Sequence, residues 1–257
     1  MLYELFSVSG AFIKFILAVI CNSKKRFKDL IEYSKQINCC NSYFQMTNFI
    51  PIFPLSIVVY PHEDLNLHIF EPKYKQLIRE CFEQKKLFGM PVVINNKLEE
   101  LGTLLEIIEI TKTYKTGEMD IKTKGKKVFR ILEVIESVPE KLYSGAIVNY
   151  PHNHEYGKRL LINKVIAATK QLHKILNVKK PFHKNEEEIW SYDLAHSVGL
   201  TLEEEYELLS LMNELQRQEY LKRHLAKVIP VVYEMEALKH KIKSNGHFKN
   251  ISGFKLS

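Results

Sequence analysis

Three groups of residues have the chemistry to act on a ligand, and each makes a different demand on its surroundings. His152 and His154 stand two apart after Pro151, with Glu155 next. In an extended segment both imidazoles point to one side, as two metal ligands would. No spacing pattern supplies a third and fourth ligand, so a solvated linker is the preferred reading and no metal is assigned. Lys122, Lys124 and Lys126 alternate and share one strand face, with Lys112, Lys115, Lys127 and Arg130 close in sequence. A basic hairpin can follow a phosphate backbone, but only Tyr114 and Phe129 offer rings for base stacking. A charged solvent face that guards a sheet edge explains it better. Reactive side chains form no constellation: there is no nucleophile elbow, no H-E-x-x-H and no G-x-x-x-x-G-K-[ST] phosphate loop. Glu186 to Glu188 and Glu203 to Glu205 are acids at helix starts, favoured there by the helix dipole. No catalytic residue and no cofactor site is assigned.

Charge and cysteine usage narrow the classes further. The net charge of +7 is concentrated at the ends of the 257 residues. A surplus of basic residues lies before Met46, and Lys239, Lys241, Lys243, Lys249 and Lys255 follow one another with no acid among them. The body between is close to neutral and lacks the broad electropositive footprint of a nucleic-acid binder. Cys21, Cys39, Cys40 and Cys81 contain no C-x-x-C pair, which suits reduced thiols in a cytoplasmic protein. With 46% hydrophobic residues the chain has the material for a real core.

The elements that must position any site are read from periodicity. Phe53 to Tyr60 predicts a strand that stops at Pro61, and Leu65, Leu67 and Ile69 alternate as a second. Glu71-Pro72 predicts a helix start, with Leu77, Ile78, Cys81 and Phe82 on one stripe. Strands follow over Met90–Ile94, Gly102–Tyr114, Met119–Thr123, Val128–Val134 and Tyr143–Tyr150. Turns are expected at Asn95-Asn96 and Thr116-Gly117, and Gly125 punctuates. Beyond Pro151 the pattern turns helical. One helix spans Leu160–Leu176, a second runs from an Asn185/Glu188 cap to Gly199, and a third opens on a Thr201/Glu204 capping box. A fourth covers about Glu214–Lys243 and should be kinked or split by Pro230. Four segments result: an appendage or mis-assigned start over 1–45, a β-domain over 46–151, a helical bundle over 152–243, and a flexible basic tail over 244–257. The apolar run of residues 5–21 carries Lys14 and is short for a spanning helix, so membrane attachment is expected only if that run is a genuine anchor.

The stretch Phe53-Pro-Leu55, Val58-Val-Tyr-Pro61, Leu65-Asn-Leu67-His-Ile-Phe-Glu-Pro-Lys-Tyr74 resembles the opening of the substrate-binding domain of Lon proteases. Phe88-Gly89, Gly102-Thr-Leu104 and Gly125-Lys-Lys-Val-Phe129-Arg-Ile continue the likeness, which extends over residues 50–240. Val128 departs from it where an Arg commonly precedes the Phe. The resemblance implies an α+β fold, a PUA-like β pseudo-barrel followed by a C-terminal helical bundle. It also implies a module that recognises protein or unfolded polypeptide, with any protease supplied in trans, since no ATPase or peptidase segment is read here. An adaptor in proteolysis is therefore expected, with recognition sought first at the loop from Tyr60 to Leu67, on Tyr60, His62 and Leu67. An RNA-binding PUA-like module using the hairpin around residues 112–130 is the alternative, and an unseen hydrolase site the least supported.

Overall fold

The computed structural model describes residues 48–179, 182 and 184–245. The expected appendage over 1–45, its apolar run, Cys21, Cys39 and Cys40, and the tail beyond Asn245 lie outside the described residues. Among the described residues thirteen elements build an α+β fold. Six strands come first: β1 (Asn48–Pro51), β2 (Asp64–Ile69), β3 (Phe88–Ile94), β4 (Lys97–Thr113), β5 (Met119–Ile135) and β6 (Gly145–Asn149), with helix α1 (Pro72–Glu83) between β2 and β3. Then come α2 (Arg159–Ile175), a 3-10 turn at Glu186–Glu188, the short α3 (Ser191–Leu194), a second 3-10 turn at Ala195–Ser197, α4 (Leu202–Ser210) and α5 (Glu214–Asn245).

The sheet is antiparallel in the order β1-β6-β5-β4-β3, and β2 pairs with β5 alongside the half that β6 leaves uncovered. Closure into a pseudo-barrel comes from the chain after β1. Ile52 N–H donates to the Ser144 carbonyl beside β6, while Phe53 N–H donates to Gly89 and Leu55 N–H to Pro91 on β3. Phe53–Tyr60 is consequently no regular strand, contrary to its β-rich composition. Single bridges at Ile52 and Leu55 tie it to β3, and Pro54 has no N–H to extend the ladder. Its side chains are nevertheless core: Val58, Val59 and Tyr60 are buried.

Gly125 does not divide two strands. β5 runs through it unbroken, because the residue is needed for close approach: a Cβ there would stand 2.2 Å from the Tyr60 carbonyl oxygen. The turns behave as their residues require. Asn95 and Asn96 both take positive φ, 50° and 61°, and Gly117 takes 79° at the tip of the β4–β5 hairpin.

In the helical region the Thr201/Glu204 capping box forms with both hydrogen bonds. The single helix expected over Asn185–Gly199 does not. Asn185 makes no side-chain cap, and the chain restarts where Trp190 N–H donates to the Asp193 carboxylate. Pro230 does not split α5, which continues as one helix to Asn245. One apolar cluster joins both regions: Val58 from the segment after β1 and Val92, Ile94 and Val128 from the strands meet Ile162, Leu194, Leu208 and Leu221 from the helices. A second lies between α1 and the sheet, holding Leu77, Ile78, Phe88 and Leu105. No helix among the described residues is long and apolar enough to cross a membrane.

Candidate functional site

The turn between Tyr60 and Asp64 is held against β5 by two backbone bonds, His62 N–H to Gly125 O at 2.9 Å and Gly125 N–H to Glu63 O at 2.8 Å. The Glu63 carboxylate caps it by accepting from Tyr60 N–H at 2.8 Å. Opposite stand the residues around α3 and its flanking 3-10 turns. Between the two lies a crevice of about 520 Å³, walled by Pro61, His62, Glu63 and Asp64 on one side and Phe182, Ile189, Tyr192 and His196 on the other. Lys184 and Asp193, paired at 2.6 Å, add an ion pair to the same lining. The lining is mixed: Tyr60, Pro61, Phe182, Ile189 and Tyr192 supply apolar and aromatic surface, and histidines and acids supply the rest.

Tyr60 is the floor post of the joint. Its ring stacks on Tyr192 at 4.9 Å and lies 5.1 Å from His196, and its hydroxyl donates to the Glu205 carbonyl at 3.0 Å. Only 1% of it is exposed, and burial pushes its phenol well above the ordinary range. His62 is exposed, takes φ 69° in the left-handed region, and places Nε2 3.8 Å from the Glu155 carboxylate. Leu67 lies elsewhere. It is half-buried on β2 against the cluster under α1, so the structure brings Tyr60 and His62 to the crevice and leaves Leu67 outside it.

His196 holds the two walls together. Nδ1 lies 2.7 Å from the Glu205 carboxylate and Nε2 3.2 Å from that of Glu63. Partial burial opposes its charge, but hydrogen bonds to Glu205 and Glu63 overcome that and push its pKa up from 6.5 to about 10. The imidazolium is thus present at neutral pH, and its folded pKa exceeds its unfolded one. The stability it contributes is complete below about 6.5 and is lost as pH rises through about 10. His196→Gln should lower the urea midpoint at pH 6 to 8, with the gap to wild type closing above about pH 10. A gap that stays constant with pH would contradict the clasp.

Behind Tyr192 a buried polar cluster supports the wall. Arg217, 1% exposed, lies 4.1 Å from the Tyr192 ring centroid and 3.0 Å from the Glu214 carboxylate. It also donates to Asn153 Oδ1 at 2.8 Å, Leu211 O at 2.7 Å and Ser191 Oγ at 3.0 Å. Sequence reasoning missed Glu63, His196 and this cluster. One signal was there: Glu214, Arg217 and Gln218 share the helical stripe of Leu221 and Leu225, where charge is unexpected unless paired.

The other candidates separate from the crevice. His152 and His154 lie with ring centroids 4.3 Å apart, and the His154 backbone is pinned to Met212 and Glu214. Among the described residues no group of three or more His, Cys, Asp or Glu is placed to hold a metal. The basic hairpin is laced with acids: Lys122 pairs with Glu109, Lys124 with Asp64 and Lys126 with Glu106. Lys112 lies over the Tyr114 ring at 4.3 Å. A lysine face already matched by carboxylates offers little to a phosphate backbone.

The fold has known relatives. Residues 50–227 match the model of the ATP-dependent protease La (LON) substrate-binding domain. That match covers most of the chain and ends short of residue 240. The crystal structure of a Lon N-terminal domain protein from Xanthomonas campestris superimposes with a TM-score of 0.51 at 20% identity, covering 68% of this chain and 96% of that one. The N-terminal domain of the Mycobacterium avium complex Lon protease gives a TM-score of 0.52 at 12% identity, covering 70% and 98%. At such identities these structures show a shared fold.

Proposed function

This chain belongs to the LON substrate-binding domain family, and we propose that it captures extended, partly apolar segments of polypeptide in the crevice between the Tyr60–Asp64 turn and α3. It acts as a non-catalytic adaptor that presents what it holds to a protease on another chain. The observation that supports this most is the crevice itself, a hollow of about 520 Å³ that combines Pro61, Phe182, Ile189 and Tyr192 with orienting charges. A second feature agrees. Among the described residues β2 pairs with β5 alone, so its other edge stands beside the turn as a place where a bound segment could add main-chain hydrogen bonds. Shape and strand pairing suit a binder of many sequences, since neither depends on one side chain. The alternative of RNA recognition by the hairpin loses support to its carboxylate partners.

The test is the affinity for a permanently unfolded, fluorescently labelled polypeptide, measured by anisotropy. Phe182→Ala should weaken binding by about tenfold, the effect of removing an apolar anchor worth over 1 kcal/mol. His62→Asn, which removes the exposed imidazole and tolerates the left-handed φ of 69°, should weaken it by a smaller factor. Binding that ignores both substitutions, or no binding by the wild type, refutes the proposal.

A further inference from the structure

The second half of α5 has an apolar seam that no other described residue covers. Residues 217, 221, 224, 228, 231, 235, 238 and 242 step alternately by four and three, which is the spacing of one face in a two-stranded coiled coil. In the first half of the helix that seam is covered by the chain's own fold: Arg217 and Leu221 are buried and the His224 side chain is 9% exposed. Beyond Val228 it emerges. Val231, Met235, Leu238 and Ile242 are 56%, 54%, 58% and 63% exposed. The emergent part also lies past residue 227, where the match to the family ends. The heptad spacing continues after the helix leaves the body.

We infer that Val231, Met235, Leu238 and Ile242 form a dimerisation seam, occupied by the same helix of a second copy of this chain running antiparallel. Flanking charge favours a second copy. Glu234 and Lys241 sit one heptad apart at the same flanking position, so antiparallel alignment sets each Glu234 beside Lys241 of the other copy, twice over. Parallel alignment would instead put Glu234 beside Lys239, so charge alone allows both alignments. Bulk decides between the two. A parallel partner would bring its folded body alongside this one, into the space where the seam is already covered, whereas an antiparallel partner keeps the bodies at opposite ends. The overlap from Val231 to Ile242 is about 18 Å long at 1.5 Å per residue. So short a pair is weak for free peptides, but here the anchored first half of α5 spares the cost of starting the helix.

Sedimentation velocity on the full chain tests the seam. The apparent mass should approach twice the monomer value as concentration rises from about 1 μM to about 200 μM, the range expected of a weak dimer. Leu238→Lys, at an exposed position, should remain monomeric throughout with an unchanged circular dichroism spectrum. Glu234→Lys should weaken the dimer several-fold, and adding Lys241→Glu should restore it. Restoration is specific to the antiparallel pair, because in a parallel one Glu234→Lys still meets the like charge of Lys239 after the second change. A wild type that stays monomeric, with the seam bare or covered by residues 246–257, overturns the inference. So does a dimer that tolerates Leu238→Lys, or a double variant that fails to recover.

Discussion

Arg217→Ala should lower the unfolding free energy by about 3–5 kcal/mol, the cost of breaking a buried ion pair by removing one partner. The guanidinium spreads its donors over Glu214, Ser191, Asn153 and the Leu211 carbonyl, and its face covers the Tyr192 ring. Without it the Glu214 carboxylate, 2% exposed, keeps only Ser191 and Gln218 as donors. Urea denaturation reads the loss directly. Arg217→Lys should rescue little, since an ammonium cannot reproduce the planar fork or the stacking. Arg217→Met combined with Glu214→Leu should recover much of the stability, because the uncompensated charge goes as well. A cost below about 1 kcal/mol for Arg217→Ala would mean that the cluster is far more open to water than its burial indicates.

Gly125→Ala should affect both stability and binding. Its Cβ would meet the Tyr60 carbonyl at 2.2 Å, a backbone atom that no rotamer can move aside. Relief requires the Tyr60–Asp64 turn to lift from β5, lengthening the two bonds that hold His62 and Glu63 to Gly125. Overpacking of this kind costs about 1–3 kcal/mol. The same movement withdraws Glu63 from His196 and reshapes one wall of the crevice, so affinity for unfolded polypeptide should fall at least tenfold even in the folded fraction. Gly199→Ala is the control. That residue has φ 75° with nothing near its missing Cβ, so it should cost about 1–2 kcal/mol of backbone strain and leave binding intact.

Local chemistry accounts for what can be read without coordinates. The Thr201/Glu204 box, the Asn95-Asn96 turn and the Pro72 helix start each depend on neighbours in the chain, and each forms. The alternation of Leu65, Leu67 and Ile69 marks β2 for the same reason. Local preference fails where a distant partner overrides it. Phe53–Tyr60 has strand composition, yet after Ile52 leaves the β6 side the segment is tied to β3 through Phe53 and Leu55 alone. Gly125 looks like a break, but its role is set by Tyr60 packed on the same spot. The site is the least legible part. Glu63 and His196 are separated by 133 positions, and nothing in either segment announces the other. Loop position points equally to His62 and Leu67, but only His62 reaches the crevice, while Leu67 faces the core beneath α1.

The central claim is that unfolded polypeptide occupies the crevice between the turn and α3, and hydrogen exchange with and without that ligand tests it most directly. Saturating ligand should slow exchange at the backbone amides of residues 60–69 and 189–197 while leaving the hairpin around 112–130 unchanged. Slowed exchange confined to the hairpin, or none anywhere at saturation, would contradict it.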